Sequence, residues 1–305
     1  MTIQVEIIAD SISETDVRIT TFLLTYPRFI HAEVLTHRVF SRNSASSRAI
    51  PITKMLHSVL DTPALPIHWG KNQKGMQAKR QLDGWRLRCA KMLWNIHRWH
   101  SVGIVWTLNK LGLHKQLANR LLETHSHITV LVTSTQWKNF FHLRAHSDAM
   151  PEVDDLARKM QYWYTESLPK LKGKDEWHLP FITSVDMADP FVTLNPETSR
   201  KKLQLISVAR CARTSYTLFE HNVFSCEEDY TLGKRLVAAR PLHASPLEHQ
   251  ATPDPLEKER YLWGNFHGWV QHRKLYSEEA VSEVSSYRSR TDSVSGSDEV
   301  VQSEE

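Results

Sequence analysis

Residues 35–51, LTHRVFSRNSASSRAIP, carry three arginines, a histidine, four serines and an asparagine among few apolar side chains. Arg38, Arg42 and Arg48 would repel one another unless something anionic sat among them. Short hydroxyls beside guanidinium groups suit a phosphate, which wants several donors, fixed geometry and positive charge. A solvated basic loop has the same composition, so the surrounding sequence has to decide.

Outward from this stretch, residues 3–8 and 17–26 read as strands, the second (VRITTFLLTY) being β-branched and aromatic. Pro27 fits the first turn of a helix through RFIHAEVLTH. Pro51 opens another, with Ile52, Met55, Leu56, Val59 and Leu60 on one face. Residues 76–111 read as one or two helices rich in Trp and Arg, and HITVLVTS as a strand or a buried segment. TQWKNFFHLRAH follows, with Thr135 as the expected cap. PEVDDLARKMQYWYTESL is amphipathic, with Val153, Leu156, Ala157, Met160 and Tyr164 inward. Residues 170–197 are Pro-rich and irregular, and TSRKKLQLISVARCART is helical. Ser225 and Glu228 form a capping box before DYTLGKRLVAAR.

The 305 residues suffice for one large domain with a sizeable core, and 41% hydrophobic content suits a globular protein. No apolar run is long enough to span a membrane, and no signal-peptide pattern is present. Three cysteines, Cys89, Cys211 and Cys226, cannot all pair and form no CxxC, which favours a reducing, cytoplasmic setting. A formal net charge of +4 is too small to argue for nucleic-acid binding. The chain after Tyr276 is rich in Glu and Ser, so the remainder is more basic and favours anionic small molecules.

Four segments then fit one pattern: THRVFSRNSASSR, NFFHLRAHSDAMPEV (139–153), ARCARTSY (209–216) and HASPLEH (243–249). Each resembles a signature of the flavin-dependent thymidylate synthases. In that family the Ser-Tyr turn and the Ser-Pro-Phe-Glu-His stretch come first; a strand, an Arg-His-Arg motif and a Leu-Arg segment follow. Here the first two signatures stand last, so the chain resembles a circular permutation of the family, cut after Glu248 and His249. The resemblance implies an α+β fold: a curved, mainly antiparallel sheet flanked by helices. It implies a single catalytic domain over residues 1–287. Its N-terminal part, 1–165, carries the nucleotide and flavin motif, and its C-terminal part, 198–275, completes the domain by permutation. Residues 288–305 are expected to be a disordered acidic, Ser-rich tail.

By the same resemblance the chain binds FAD and a pyrimidine deoxynucleotide monophosphate. It moves a one-carbon unit from methylenetetrahydrofolate to C5 of the base and reduces it to methyl, with NADPH restoring the flavin. Active sites shared within a homotetramer are implied, and no metal. His37, Arg38 and Val39 would hold FAD with Asn139, Leu143, Ser215, His243, Ser245 and Glu248. Ser46, Ser47 and Arg48 would take the nucleotide phosphate, with Arg120 as a second nucleotide arginine. Arg144 would lie against the pyrimidine and stabilise charge that develops on it, and His243 completes the expected catalytic pair. Ser41 and Asn43 would shape the turn, and Cys211 would be core packing. Without the resemblance, His37 and Arg38 read as cations at a helix C-terminus, and Arg144 as an ion-pair partner of Glu152 or Asp148.

Departures from the family stand at Thr36, Glu33 and Ser44, which replace an arginine, a glutamine and a glutamate. Ala149, Met150, Pro151 and Glu152 replace its Ala-Gln-x-Glu. GNFHGWVQHRK (264–274) could return a glutamine and an arginine through Gln271 and Arg273, or be an ordinary packed helix start. Three rivals remain: methylation or hydroxymethylation of another pyrimidine nucleotide such as deoxycytidylate; a nucleic-acid-binding protein using the Trp- and Arg-rich helices at 85–110; and zinc held by His97, His100, His125 and His127.

Overall fold

The structure, a computed structural model, describes residues 3–75, 77–215 and 225–276. The tail at 288–305 lies outside the described residues.

Strands β1 (Gln4–Ser13) and β2 (Arg18–Pro27) form an antiparallel pair, followed by the short helix α1 (His31–Leu35) and strand β3 (Ser41–Ser44). Helices α2 (Ile52–Asp61), α3 (Gly84–Lys110) and α4 (Lys115–Ala118) lead through a 3-10 turn, Asn119–His125, into β4 (His127–Ser134). Helices α5 (Lys138–Arg144) and α6 (Pro151–Glu166), strand β5 (Lys170–Lys172) and helices α7 (Ser184–Ala188), α8 (Pro196–Arg213) and α9 (Cys226–Ala238) follow. Strands β6 (Ala251–Pro253) and β7 (Trp269–Gln271) make a separate antiparallel pair.

The main sheet runs β3-β4-β2-β1-β5. Three of its pairings are antiparallel, and β1–β5 is parallel, so the sheet is mixed rather than purely antiparallel. β2 is central and buried almost throughout, as a β-branched strand covered on both faces should be. Its period of two divides it. Phe22, Leu24 and Tyr26 join a core with Trp137 and Phe140 of the α5 region and with Leu156 and Met160 of α6. Leu23 turns the other way, to Leu131 and to Cys211 of α8. Val153, Leu156, Ala157 and Met160 are buried as the helical spacing requires, and Tyr164 is partly so.

Several local readings change. The helix expected through RFIHAEVLTH is a 3-10 turn, Arg28–Ile30, and then five residues of α1. Residues 76–111 yield one long helix, and the irregular 170–197 stretch contains β5 and the capped α7. Thr135 caps nothing: α5 starts at Lys138 without a side-chain cap, and the Thr135 hydroxyl instead accepts from the His267 backbone N–H. The Ser225–Glu228 capping box is present in both directions. Ion pairs lock α7, α8 and α9 together, with Arg210 on both Asp186 and Asp229, and Arg213 on Asp229.

A chain of buried side chains crosses the sheet. The Ser11 hydroxyl meets His178 Nδ1 (3.0 Å), His178 Nε2 meets Thr21 (2.8 Å), Thr21 meets Thr133 (2.7 Å) and Thr133 meets His249 Nδ1 (2.8 Å). Backbone bonds between His178 and Ala251 run alongside it.

Gly233 sits inside α9, where glycine costs about 1 kcal/mol relative to alanine in an exposed helix. A Cβ there would lie 2.2 Å from the Leu205 carbonyl oxygen of α8, a backbone atom that cannot step aside cheaply. Overpacking should therefore outweigh propensity. Gly233→Ala is expected to destabilise the protein by about 1–3 kcal/mol, read from the denaturant midpoint; a gain in stability would mean that α8 and α9 separate easily.

Candidate active site

The stretch 35–51 is not a solvated loop. It leaves α1, turns, and enters the sheet as edge strand β3, where alternation buries Ser41 and Asn43 and leaves Arg42 and Ser44 partly exposed. Ser41 and Asn43 therefore do more than shape a turn. Asn43 Nδ2 donates to the Cys211 carbonyl (2.5 Å) and the Thr214 hydroxyl (2.9 Å), and its Oδ1 accepts from Ser215 Oγ (3.0 Å). The Ser46 N–H donates to the Ser215 carbonyl. The end of α8 is thus clasped to the stretch across about 170 residues of sequence. Cys211 is fully buried in the core, and Tyr216 lies outside the described residues.

The α5 segment arrives from the other side. Arg144 Nε donates to His37 Nε2 (3.0 Å), and Arg144 Nη2 donates to Thr36 Oγ1 (3.1 Å). Arginine can only donate, so the imidazole proton must sit on Nδ1. Burial lowers the His37 pKa first, and the charges of Arg144 and Arg42 lower it further, so the ring stays neutral. Phe140 meets the ring edge-on at 4.9 Å. Arg144 does not pair with Glu152, which is buried and accepts the Ile67 N–H, or with Asp148, which faces Lys79 and His146.

The HASPLEH segment forms a 3-10 turn, Ser245–Glu248. The Glu248 carboxylate pairs with Arg273, and Gln271 Nε2 donates to both the Glu248 carbonyl and Ser41 Oγ (3.1 Å each). Asn265 adds a second bond to Ser41 Oγ. Gln271 of the GNFHGWVQHRK segment thus touches the stretch at Ser41, Arg273 reaches Glu248 instead, and His272–Leu275 form a 3-10 turn. His243 and Ser245 are exposed.

Of the expected phosphate ligands, Arg48 is exposed, Ser46 half-exposed, and Ser47 buried with its hydroxyl on Glu123 (2.7 Å). Arg120 Nη1 also reaches Glu123 (2.9 Å). Asn119 holds the loop from beneath, donating to the carbonyls of Ser47 and Ile50. Arg38, Val39, Asn139 and Leu143 are exposed, Val39 at 38% and Leu143 at 49%.

Two residues have contacts that the sequence reading does not assign, Arg42 standing there only as one of three clustered cations. Arg42 is half-buried and donates to the Leu35 and His37 carbonyls, fixing the turn that presents His37. Glu123 gathers Ser47, Arg120 and Arg28. The one available signal for Arg42 was a long cation between alternating small buried polar residues. The zinc reading fails on geometry: His97 and His125 meet at 2.7 Å, but among the described residues no three metal-binding side chains converge.

The family model described as thymidylate synthase complementing protein, Thy1, matches residues 13–170. Curated proteins give no match. Solved structures to which the chain is similar include the UMP/dUMP methylase PolB from Streptomyces cacaoi bound with 5-Br dUMP. That overlap has a TM-score of 0.44 and 13% identity, covering 54% of this chain and 90% of that one. The same enzyme bound with 5-Br UMP overlaps with a TM-score of 0.43 and 15% identity, covering 54% and 89%. No helix among the described residues is long and apolar enough to cross a membrane. The Thy1 match takes in the basic stretch, β4 and the Arg144 segment and spans more than half the chain, which therefore belongs to the Thy1 family of flavin-dependent thymidylate synthase-like methylases.

Proposed function

We propose that the enzyme transfers a one-carbon unit from methylenetetrahydrofolate to C5 of 2'-deoxyuridine monophosphate and that the unit is reduced to methyl. The observation that carries this reading is the convergence on residues 36–48 of three segments remote in sequence: Arg144 on His37 and Thr36, Thr214 and Ser215 on Asn43, and Gln271 on Ser41. Family membership removes the reading without catalysis.

The residues present fit a flavin. A neutral imidazole at His37, exposed apolar side chains at Val39 and Leu143 and an exposed guanidinium at Arg38 offer a ring face and a pyrophosphate their respective partners. Asn139, Ser215, His243, Ser245 and Glu248 complete this side. When bound, FAD would supply hydride to the transferred carbon, and NADPH would restore it. Ser46 and Arg48 take the nucleotide phosphate, with Ser47 and Arg120 behind them. Arg144 directs its guanidinium at the pyrimidine, where charge on the ring carbonyls rises as C5 forms its new bond. His37 and Thr36 hold the planar fork for that task.

Residues 1–287 act as one catalytic unit in permuted order. In support, Ala251, just beyond His249, packs with Ile19 at the start of β2, and Trp269 Nε1 donates to the Val17 carbonyl. A homotetramer is supported by α3, which exposes Trp85, Leu93, Trp99 and Trp106 and buries only Ser101 and Val105.

The purified protein should show an oxidised-flavin spectrum and convert deoxyuridylate to thymidylate with methylenetetrahydrofolate and NADPH. Product from deoxycytidylate instead, or a hydroxymethyl product, would move the substrate to the rival pyrimidine reading, which Thr36, Glu33 and Ser44 leave open; no turnover of any pyrimidine monophosphate would sink both. Arg48→Ala should weaken nucleotide binding by about 1.5–3 kcal/mol, the size of a lost charge-assisted hydrogen bond, and leave flavin content unchanged. Loss of flavin with intact nucleotide affinity would reverse the division of the stretch between two phosphates.

A further inference from the structure

Glu123 stands where an anion would. One of its oxygens, Oε1, accepts from Ser47 Oγ (2.7 Å) and Arg120 Nη1 (2.9 Å), and Arg28 Nε lies 3.4 Å away. A hydroxyl and two guanidinium groups on one oxygen are the donors a phosphate collects. The three partners differ in freedom. The Arg28 side chain is 12% exposed and that of Arg120 is 51% exposed. Burial lowers the Arg28 pKa and the charge of Glu123 raises it, so Arg28 needs this carboxylate as its counter-ion. Arg120, half in water, can leave it at small cost. The turn itself is pinned, because the Ser126 N–H and hydroxyl both donate to the Glu123 carbonyl.

We propose that Glu123 is an internal anion that competes with the substrate's phosphate for Arg120 and Ser47 and so sets the affinity of the subsite for phosphate. The proposal rests on the phosphate reading of residues 46–48. An anionic ligand arriving beside Glu123 meets like-charge repulsion that grows with its own charge, and it must displace the carboxylate from Arg120 and Ser47. A dianionic terminal phosphate is drawn more strongly to Arg48 and Arg120 and repelled more strongly by Glu123 than a monoanion is, so it has the most to gain when that charge is removed. A nucleoside without phosphate does not enter the contest.

The test is equilibrium binding of three probes to the full-length, flavin-loaded protein: deoxyuridine 5'-monophosphate, its monoanionic 5'-phosphate methyl ester, and deoxyuridine. Glu123→Gln keeps the shape and an acceptor oxygen while removing the charge. It should tighten monophosphate binding by about three- to tenfold, the scale of one partly exposed charge pair. The methyl ester, with half the charge, should gain less, and deoxyuridine should be unchanged. Glu123→Asp keeps the charge beside Arg28 but shortens the reach to Arg120; it should fall between the two, and serves if the Gln variant does not fold. Monophosphate binding that is unchanged or weaker in both variants overturns the proposal, since Glu123 would then organise the donors rather than compete for them. If the unaltered protein binds deoxyuridine as well as the monophosphate, the phosphate reading of the stretch fails, and the proposal with it.

Discussion

Acidification should unfold this protein early, well before its carboxylates titrate. His178, His249, His272 and His125 are buried. Burial pushes the first two down to about 3 and the other two to about 4 from the ordinary imidazole value. In the unfolded chain these rings take a proton near pH 6.5. Between that value and their folded pKa values the unfolded state binds more protons, so stability is complete above about pH 6.5 and falls with pH below it. Each ring contributes roughly 1.4 kcal/mol per pH unit in that window. At pH 5 four of them together would remove about 8 kcal/mol, comparable to the entire stability of an ordinary domain at about 5–15 kcal/mol. The ion-paired Asp186, whose pKa is lowered by its bonds from Arg210 and Thr183 against the opposing effect of burial, adds to the loss only at still lower pH. Thermal melts followed by circular dichroism should show the midpoint dropping steeply from pH 6.5 to 5. A flat midpoint across that range would mean that the imidazoles reach water.

Arg144→Lys should lower turnover by roughly ten- to a thousandfold, the range for losing one oriented donor at a developing charge, with a smaller effect on flavin content. Lysine keeps the charge but has a single nitrogen. It cannot reproduce the Nε bond to His37 and the Nη2 bond to Thr36 together, so the direction of the charge is lost even where its presence is not. Re-oxidation of reduced flavin by oxygen should continue, because the pyrimidine takes no part in it. Normal turnover of this variant would make Arg144 a structural residue that merely holds His37.

What could be read from the sequence was what neighbours in sequence decide. β2 followed from its β-branched run, α6 from its 3.6-residue spacing, and α9 from the Ser225–Glu228 box. The errors lie where partners are distant. Thr135 looked like a cap because a hydroxyl before a helix usually is one, but a backbone N–H from residue 267 took it. β5 is three residues of alternating Lys and Leu, too short to show a period, and exists because β1 offers it an edge. Asn43 looked like a turn residue because its three partners are 168 to 172 positions away. Of the site, the four motif segments were legible as likenesses, but their meeting was not. Arg42 and Glu123 match no motif; only the folded turn gives Arg42 its carbonyls and Glu123 its three donors.

The contacts of Ser41 also govern when the site can come into being. Both of its side-chain partners, Asn265 and Gln271, lie more than 220 residues downstream. A growing polypeptide therefore emerges with the basic stretch complete and its strand partners β2 and β4 available, while the groups that close on Ser41 are still unmade. Loop closure over such a span is slow compared with pairing of adjacent strands. The sheet can assemble during synthesis, but closure on Ser41 is a late event, finished only after β7 has left the ribosome. The nascent chain thus carries an open cluster of cations for most of its synthesis, and the order of the segments makes closure on Ser41 a late step of folding.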